Sequence, residues 1–130
     1  MKGAFEREEE GLIFVAEGVL SGEALIRETE RAHGAHAGLR YQIIDLRQVE
    51  RMDITAEQIQ RIAEADREAA ERGPGAKVAI VANHDLTIGL SRIYLIHARS
   101  DKLESRIFCS LDEARSWIGD GRQKAAERGR

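Results

Sequence analysis

The amino-acid sequence has little of what marks secreted, membrane-spanning or nucleic-acid-binding proteins. It has a single cysteine, Cys109, so no disulfide bond can form within the chain, which favours a reducing compartment. The start of the chain, MKGAFEREEE, lacks the apolar segment of a secretory signal, and the longest apolar run, LIFVA, is far too short to cross a membrane. These absences predict a cytoplasmic protein, in which Cys109 is a small core residue.

The sequence also lacks an excess of basic residues. Its 20 Lys and Arg residues are interspersed with 23 Asp and Glu residues, and the net charge is −3. Because binding to nucleic acid depends on a positively charged surface, no nucleic-acid partner is expected. With 42% hydrophobic and 33% charged residues, the 130-residue chain has the composition of one folded globular domain.

Short apolar runs that alternate with amphipathic segments predict an α/β fold. Two β-prone stretches, at 4–9 and 12–17, form a hairpin at Gly11, and further strands are predicted at 41–46, 76–82 and 105–109. Strands that are joined through helices pair in parallel with right-handed crossovers. The prediction is a mixed, mainly parallel sheet of about five strands with about four helices, forming one domain over residues 1–119. The polar residues 120–130 are predicted to be a disordered tail.

Several short stretches carry a resemblance to a known family. These are a strand that ends in IIDLR, a second strand KVAIVA, the helix start GLSRIY, and the C-terminal RIFCSLDEARSWI. In this order they resemble the SpoIIAA-like branch of the STAS (sulfate transporter and anti-sigma factor antagonist) superfamily, over about residues 10 to 119. The resemblance implies a bacterial, non-enzymatic module without a cofactor, which binds proteins, nucleotides or apolar ligands. That branch is also similar to the lipid-binding Sec14-type domains.

Thr55 is the one hydroxyl at the place where some members of that family are phosphorylated. Those members antagonise anti-sigma factors and carry the phosphorylated Ser in an Asp-Ser-Ser-Gly stretch, to which RMDITAEQ corresponds here. Asp53 is present, but the Ser-Ser-Gly is not. The spacing of Thr55 to Gln58 is also that of a capping box, which a phosphate would break. Thr55 is therefore a weak candidate phosphoacceptor, with helix capping as the alternative.

Polar residues follow two of the predicted parallel strands. Asp45 and Arg47 lie at the end of one strand, and Asn83 and His84 follow the next. Ligands often bind beyond the carboxyl ends of parallel strands, so these four residues form a weak candidate cleft. They lack the spacing of a catalytic motif, and the alternative is that Asp45 simply pairs with Arg47. No catalytic residue is predicted.

Two further groups of residues have the chemistry of a binding site. His33 and His36 are three positions apart, but a third ligand is missing, so no metal site is predicted. Asp66 lies on the apolar stripe of its helix, where an ionised carboxylate without a partner would be costly. We expect Asp66 to lie at the rim of the core or to meet an arginine.

The helix predicted at 85–100 has apolar residues on two sides. Leu86, Gly89, Leu90, Ile93, Ile96 and His97 fall within one stripe of roughly 120°, which is the predicted core face. Ile88 and Leu95 fall on nearly the opposite side, next to Arg92 and Arg99. We therefore predict a contact surface consisting of Ile88, Arg92, Leu95 and Arg99.

Such a surface has two possible uses. A self-complementary homodimer is the commonest, and another regulatory protein or an apolar ligand would use the same residues. Weak association with an anionic membrane surface is the alternative, with the aliphatic side chains down and the guanidinium groups at the lipid headgroups. The predicted function is recognition without catalysis.

Overall fold

The structure is a five-stranded mixed sheet with four helices, as the sequence predicts. The computed structural model describes residue 3, residues 5–35 and residues 38–128, with side chains through residue 119. The strands are β1 (Phe5–Arg7), β2 (Gly11–Ser21), β3 (Tyr41–Asp53), β4 (Ala76–Val81) and β5 (Leu103–Phe108). The helices are α1 (Gly22–Ala35), α2 (Ala56–Arg72), α3 (Asp85–His97) and α4 (Leu111–Arg128).

The strands lie side by side in the order of the sequence. β1 is antiparallel to β2, which makes the predicted N-terminal hairpin, and the other neighbouring pairs are parallel. Gly11 opens β2 because a Cβ at this position would lie 2.5 Å from the carbonyl oxygen of Tyr41 on the next strand. β3 pairs with β2 along its whole length but with β4 only over Tyr41–Asp45.

Side chains on the two faces of the sheet build two separate cores. The larger core packs α1, α2 and α3 against one face, around Phe14, Leu20 and Val78. The smaller core packs α4 against the other face, around Ile43 and Val81. Alternation along the strands explains this division, because successive side chains point to opposite faces. Within the described part of the chain, no helix is both long and apolar enough to cross a membrane.

Local sequence signals set the ends of α2. The Thr55 hydroxyl accepts a hydrogen bond from the backbone N–H of Gln58 at 3.1 Å, and the Gln58 side chain accepts one from the N–H of Thr55 at 3.0 Å. This is the predicted capping box, and it satisfies two donors that the first helical turn would leave free. The helix ends at Arg72, immediately before the Gly73-Pro74-Gly75 stretch.

The C-terminal helix is attached to the N-terminal hairpin. Arg115 donates two hydrogen bonds to Glu8, at 2.8 and 3.2 Å, and the hydroxyl of Tyr41 donates a third at 2.8 Å. The hydrogen bonds from Arg115 and Tyr41 hold the pKa of Glu8 below its usual value, although partial burial opposes them. α4 continues to Arg128, beyond the end that the sequence predicts at residue 119. Good helix formers follow Gly121, which explains the longer helix.

Candidate functional site

Helix α3 packs on the sheet with a face that the apolar pattern does not predict. Its buried residues are Thr87, Ser91 and Tyr94, whereas Leu86 is 60% and Ile96 67% exposed. The predicted core stripe is therefore wrong for Leu86, Gly89 and Ile96, which are exposed. Its other residues Leu90, Ile93 and His97 are half-buried, and Leu90 and Ile93 pack against the larger core.

Hydrogen bonds explain why polar residues can occupy the inner face of α3. The hydroxyl of Thr87 donates to the carbonyl of His84 at 2.9 Å, and that of Ser91 donates to the carbonyl of Thr87 at 2.6 Å. Each buried hydroxyl is thus satisfied within its own helix, and burying it costs little. A hydrophobic pattern counts these residues as polar and places them outside, so the predicted core face is rotated about the helix axis from the observed one.

The predicted contact residues separate into two groups. Arg92 and Arg99 are exposed, but Ile88 and Leu95 are half-buried and pack against the larger core. Ile88 and Leu95 are therefore less exposed than predicted, and the contact surface of Ile88, Arg92, Leu95 and Arg99 stays a prediction. The exposed apolar residues of the helix are Leu86, Gly89 and Ile96. We call them the α3 outer face, together with Ile93, which lies between Gly89 and Ile96 and is half-buried against the larger core.

The geometry of the α3 outer face suits contact with another surface. Its residues are three or four positions apart, so they lie along one line of the helix. Leu86 and Ile96 are the most exposed of the large hydrophobic residues in the described chain, and a Cβ added at Gly89 would meet nothing within 4 Å. Arg92 and Arg99 lie along one border of this line, and Asp85 lies at the start of the helix.

The candidate cleft at the strand ends is occupied by an ion pair. Asp45 is buried, and Arg47 donates to both of its carboxylate oxygens, at 3.0 and 2.8 Å, and donates its backbone N–H at 3.1 Å. Burial raises the pKa of Asp45, but the hydrogen bonds from Arg47 outweigh burial and hold this pKa below its usual value. Asn83 and His84 are exposed. The alternative that Asp45 pairs with Arg47 is thereby confirmed.

Two other residues that the sequence singled out, Thr55 and Cys109, lie on the surface. Thr55 is exposed and caps α2, and its role as a phosphoacceptor stays a prediction. Cys109 is exposed, so its expected place in the core is wrong.

His36 lies outside the described residues. Among those that are described, no group of three or more His, Cys, Asp and Glu side chains is arranged to hold a metal ion.

A buried carboxylate that the sequence did not place correctly links several elements. Asp66 of α2 is 5% exposed and meets no arginine. Its Oδ1 contacts Nε2 of His33 on α1 at 2.6 Å and accepts a hydrogen bond from Gln42 on β3 at 3.4 Å. Its Oδ2 accepts a hydrogen bond from the hydroxyl of Tyr94 on α3 at 2.7 Å. Burial and the neighbouring carboxylate raise the pKa of Tyr94 well above its usual value.

This cluster lines a cavity of about 170 Å³ at the amino ends of the parallel strands. The cavity lies between the end of α2 and the starts of β3, β4 and β5, at the opposite edge of the sheet from the candidate cleft. Gly75 closes one side with a φ of +104°, and a Cβ there would lie 3.1 Å from the carbonyl oxygen of Lys102. The other lining residues include His33, Leu39, Gln42, Asp66, Arg72 and Leu103.

The fold is shared with a solved structure. No protein-family model matches the sequence, and no curated protein matches it. The chain is similar to an uncharacterised protein of the DUF3478 family from Shewanella loihica PV-4, which has a SpoIIAA-like fold. The two sequences are 19% identical, the TM-score is 0.56, and the match covers 90% of this chain and 92% of that one. The SpoIIAA-like fold that the sequence motifs predict is therefore confirmed.

Proposed function

We propose that this protein is a cytoplasmic, non-enzymatic STAS-type binding module that recognises a protein through the α3 outer face, and that its partner is a second copy of the chain. The exposure of Leu86 and Ile96 on one line of the same helix carries the proposal. Single exposed aliphatic residues are common on protein surfaces, but an aligned set marks a contact site. The SpoIIAA-like fold supports a binding module rather than an enzyme.

Gly89 supports a helix as the opposing surface. It lies in the middle of the α3 outer face, and the space where its side chain would stand is open. In an antiparallel pair of α3 helices, the Ile93 side chain of one copy would fill this space above Gly89 of the other. Leu86 at the start of one helix would then contact Ile96 near the end of the partner helix. The face is thus self-complementary, as a two-fold interface requires.

Charges at the two ends of α3 favour the same antiparallel arrangement. Asp85 lies in the first turn, and Arg99 lies just after the last turn, both exposed. In an antiparallel pair the acidic end of each helix lies beside the basic end of the other. In a parallel pair, like charges would lie side by side, which disfavours that orientation. Opposite charges at the rim orient the partners, while the aliphatic contacts supply most of the affinity.

The mass of the protein in solution tests the proposal. Wild-type protein is expected to be dimeric in sedimentation equilibrium at micromolar concentration, and Leu86→Glu with Ile96→Glu is expected to be monomeric, because four carboxylates would be buried in the interface. Val19→Glu is the matched control, since Val19 is 40% exposed but lies on β2. A wild-type monomer at all concentrations, or an unchanged dimer in the double variant, would contradict the proposal.

A charge exchange tests the orientation of the helices. Asp85→Arg and Arg99→Asp are each expected to weaken the dimer, and the two together are expected to restore it, because the opposite charges then meet again. Circular dichroism of each variant shows whether α3 remains folded. If the double variant is weaker than both single variants, the helices do not pair in this way.

Membrane association is the second candidate, and it rests on Arg92 and Arg99 beside the apolar line. Its signature would be a monomeric protein that sediments with vesicles containing an anionic lipid, and whose binding weakens as salt is added. That result would replace the dimer with a lipid surface as the partner of the same face.

A further inference from the structure

Helix α3 is anchored in the core less firmly than α1 and α2. α1 buries Leu25 and Ile26, and α2 buries Ile59 and Ile62. Of the leucine and isoleucine residues in α3, four are half-buried against the larger core, two are exposed, and none is fully buried. A segment that buries little apolar surface opens more readily than the rest of a protein, so α3 is the helix in which local opening is expected.

The start of α3 lacks the side-chain cap that the other helices have. Ser21, Thr55 and Ser110 each accept a hydrogen bond from a backbone N–H in the first turn of α1, α2 and α4 respectively. Among the described residues, His84 at the start of α3 makes no such bond with its side chain. Gly89 in the middle of α3 weakens the helix further, because glycine loses more conformational freedom on folding than any other residue.

Two hydrogen bonds connect the second half of α3 to α2. The hydroxyl of Tyr94 donates to Oδ2 of Asp66 at 2.7 Å, and Nη1 of Arg67 donates to the backbone carbonyl of His97 at 3.1 Å. The carbonyl of His97 is in the last turn of α3, where backbone acceptors have no partner within the helix. These two bonds therefore supply polar attachment where apolar burial is limited.

Movement of α3 away from the sheet would leave few polar groups without a partner. The hydroxyls of Thr87 and Ser91 donate to backbone carbonyls one turn earlier, so these bonds move with the helix. Asp66 keeps its contacts with His33 of α1 and Gln42 of β3, neither of which belongs to α3. The polar cost of opening is therefore confined to the two hydrogen bonds between α3 and α2.

We propose that residues 83–99, which we call the α3 strap, open from the sheet and from α2 as one unit while the rest of the domain stays folded. The hydrogen bond from Tyr94 to Asp66 holds the strap closed, and the bond from Arg67 supports it. This opening goes beyond the proposed function and belongs to the single chain. A partner that binds the α3 outer face favours the closed strap, because it binds the docked helix and not the open one.

Hydrogen exchange of the isotopically labelled full chain, followed by two-dimensional amide NMR at several low urea concentrations, tests the strap. Ser91 and Tyr94 are buried in α3, and Ile62 and Ala63 are buried in α2. The two α3 amides are expected to exchange at least about tenfold faster than the two α2 amides, at a rate that hardly depends on urea, because local opening exposes little surface. The same behaviour is expected in the variant with Leu86→Glu and Ile96→Glu, since the opening needs no partner.

Two tyrosine variants separate closure of the strap from global stability. Tyr94→Phe is expected to speed exchange of the α3 amides by about tenfold or more, because the closed strap loses a hydrogen bond to a carboxylate and the open strap does not. Tyr41→Phe is the matched control, since Tyr41 is also buried and its hydroxyl donates to Glu8, outside the strap. It is expected to speed exchange of the α2 amides, which requires global unfolding, and to leave that of the α3 amides unchanged. Arg67→Met is expected to act in the same direction as Tyr94→Phe.

Three results would overturn the proposal. The first is exchange of the α3 amides at the same rate, and with the same dependence on urea, as the α2 amides. The second is unchanged exchange of the α3 amides in Tyr94→Phe. The third is an equal acceleration of α3 exchange in Tyr94→Phe and Tyr41→Phe, which would show that α3 opens only when the whole domain unfolds.

Discussion

Replacing Asp66 by alanine is expected to remove a large part of the stability of the protein. The carboxylate is 5% exposed and receives His33, Gln42 and Tyr94, each from a different element. In Asp66→Ala the fully buried hydroxyl of Tyr94 and the amide of Gln42 lose their acceptor, and the His33 ring loses its charged partner. The helix itself is not disturbed, because alanine is the best helix former.

The size of the effect follows from these orphaned groups. A buried polar group without a partner costs about 1–3 kcal/mol, and Asp66→Ala leaves both the Tyr94 hydroxyl and the Gln42 amide without their acceptor. The contributions overlap because they share one carboxylate, so we expect a loss of about 3–5 kcal/mol. A domain is commonly stable by about 5–15 kcal/mol, so Asp66→Ala is expected to be marginally folded.

Urea denaturation followed by far-UV circular dichroism measures this loss as the change in the free energy of unfolding. Glu68→Ala is the matched control, because Glu68 is an exposed carboxylate on the same helix, and its effect is expected within about 0.5 kcal/mol. A loss below about 1 kcal/mol in Asp66→Ala would refute the reasoning. Strict additivity of the losses in Asp66→Ala and Tyr94→Phe would also refute it. The two residues share a hydrogen bond, so the double variant should lose less free energy of unfolding than the sum of the single variants.

Two further predictions concern acid stability and glycine. The pKa of Asp45 is lowered in the folded protein, so its ionised form stabilises the fold above the ordinary value of 3.8, and this stabilisation is lost as the pH falls through the lower folded value. The difference in melting temperature between wild type and Asp45→Asn is therefore expected to shrink as the pH falls below 3.8, and a constant difference would contradict it. Gly11→Ala is expected to destabilise by about 1–3 kcal/mol in urea denaturation, because its Cβ would collide with the Tyr41 backbone. Gly89→Ala is expected to stabilise the monomer by about 0.5–1 kcal/mol and to weaken the dimer. If Gly11→Ala and Gly89→Ala change the free energy of unfolding equally, the difference in space around the two glycines does not matter.

Local signals carried most of the fold prediction. Thr55 and Gln58 act within one helical turn, and Gly73-Pro74-Gly75 follows the last residue of α2, so the sequence specifies both ends of this helix directly. The parallel pairing of β2 to β5 was predictable because each of these strands is joined to the next through a helix.

The candidate site depends on contacts between distant residues, which no local pattern contains. His33 and Asp66 are 33 positions apart, and Tyr94 is 28 positions beyond Asp66. Asp66 on an apolar stripe was the one available signal, and it indicated burial without identifying the partners. The α3 outer face was misplaced because Thr87 and Ser91 satisfy their hydroxyls within the helix, which hydrophobicity does not register.

Because His33, Gln42 and Tyr94 share the carboxylate of Asp66, the four positions are expected to vary together among proteins that contain this cluster. A lineage that replaces Asp66 first leaves a buried tyrosine hydroxyl without an acceptor, and one that first replaces Tyr94 by phenylalanine leaves a buried charge with fewer donors. Both intermediates are less stable than either end point, so the two substitutions are expected to be inherited together. Positions 33 and 42 should follow them, and these four positions are expected to covary as one unit despite their distance along the chain.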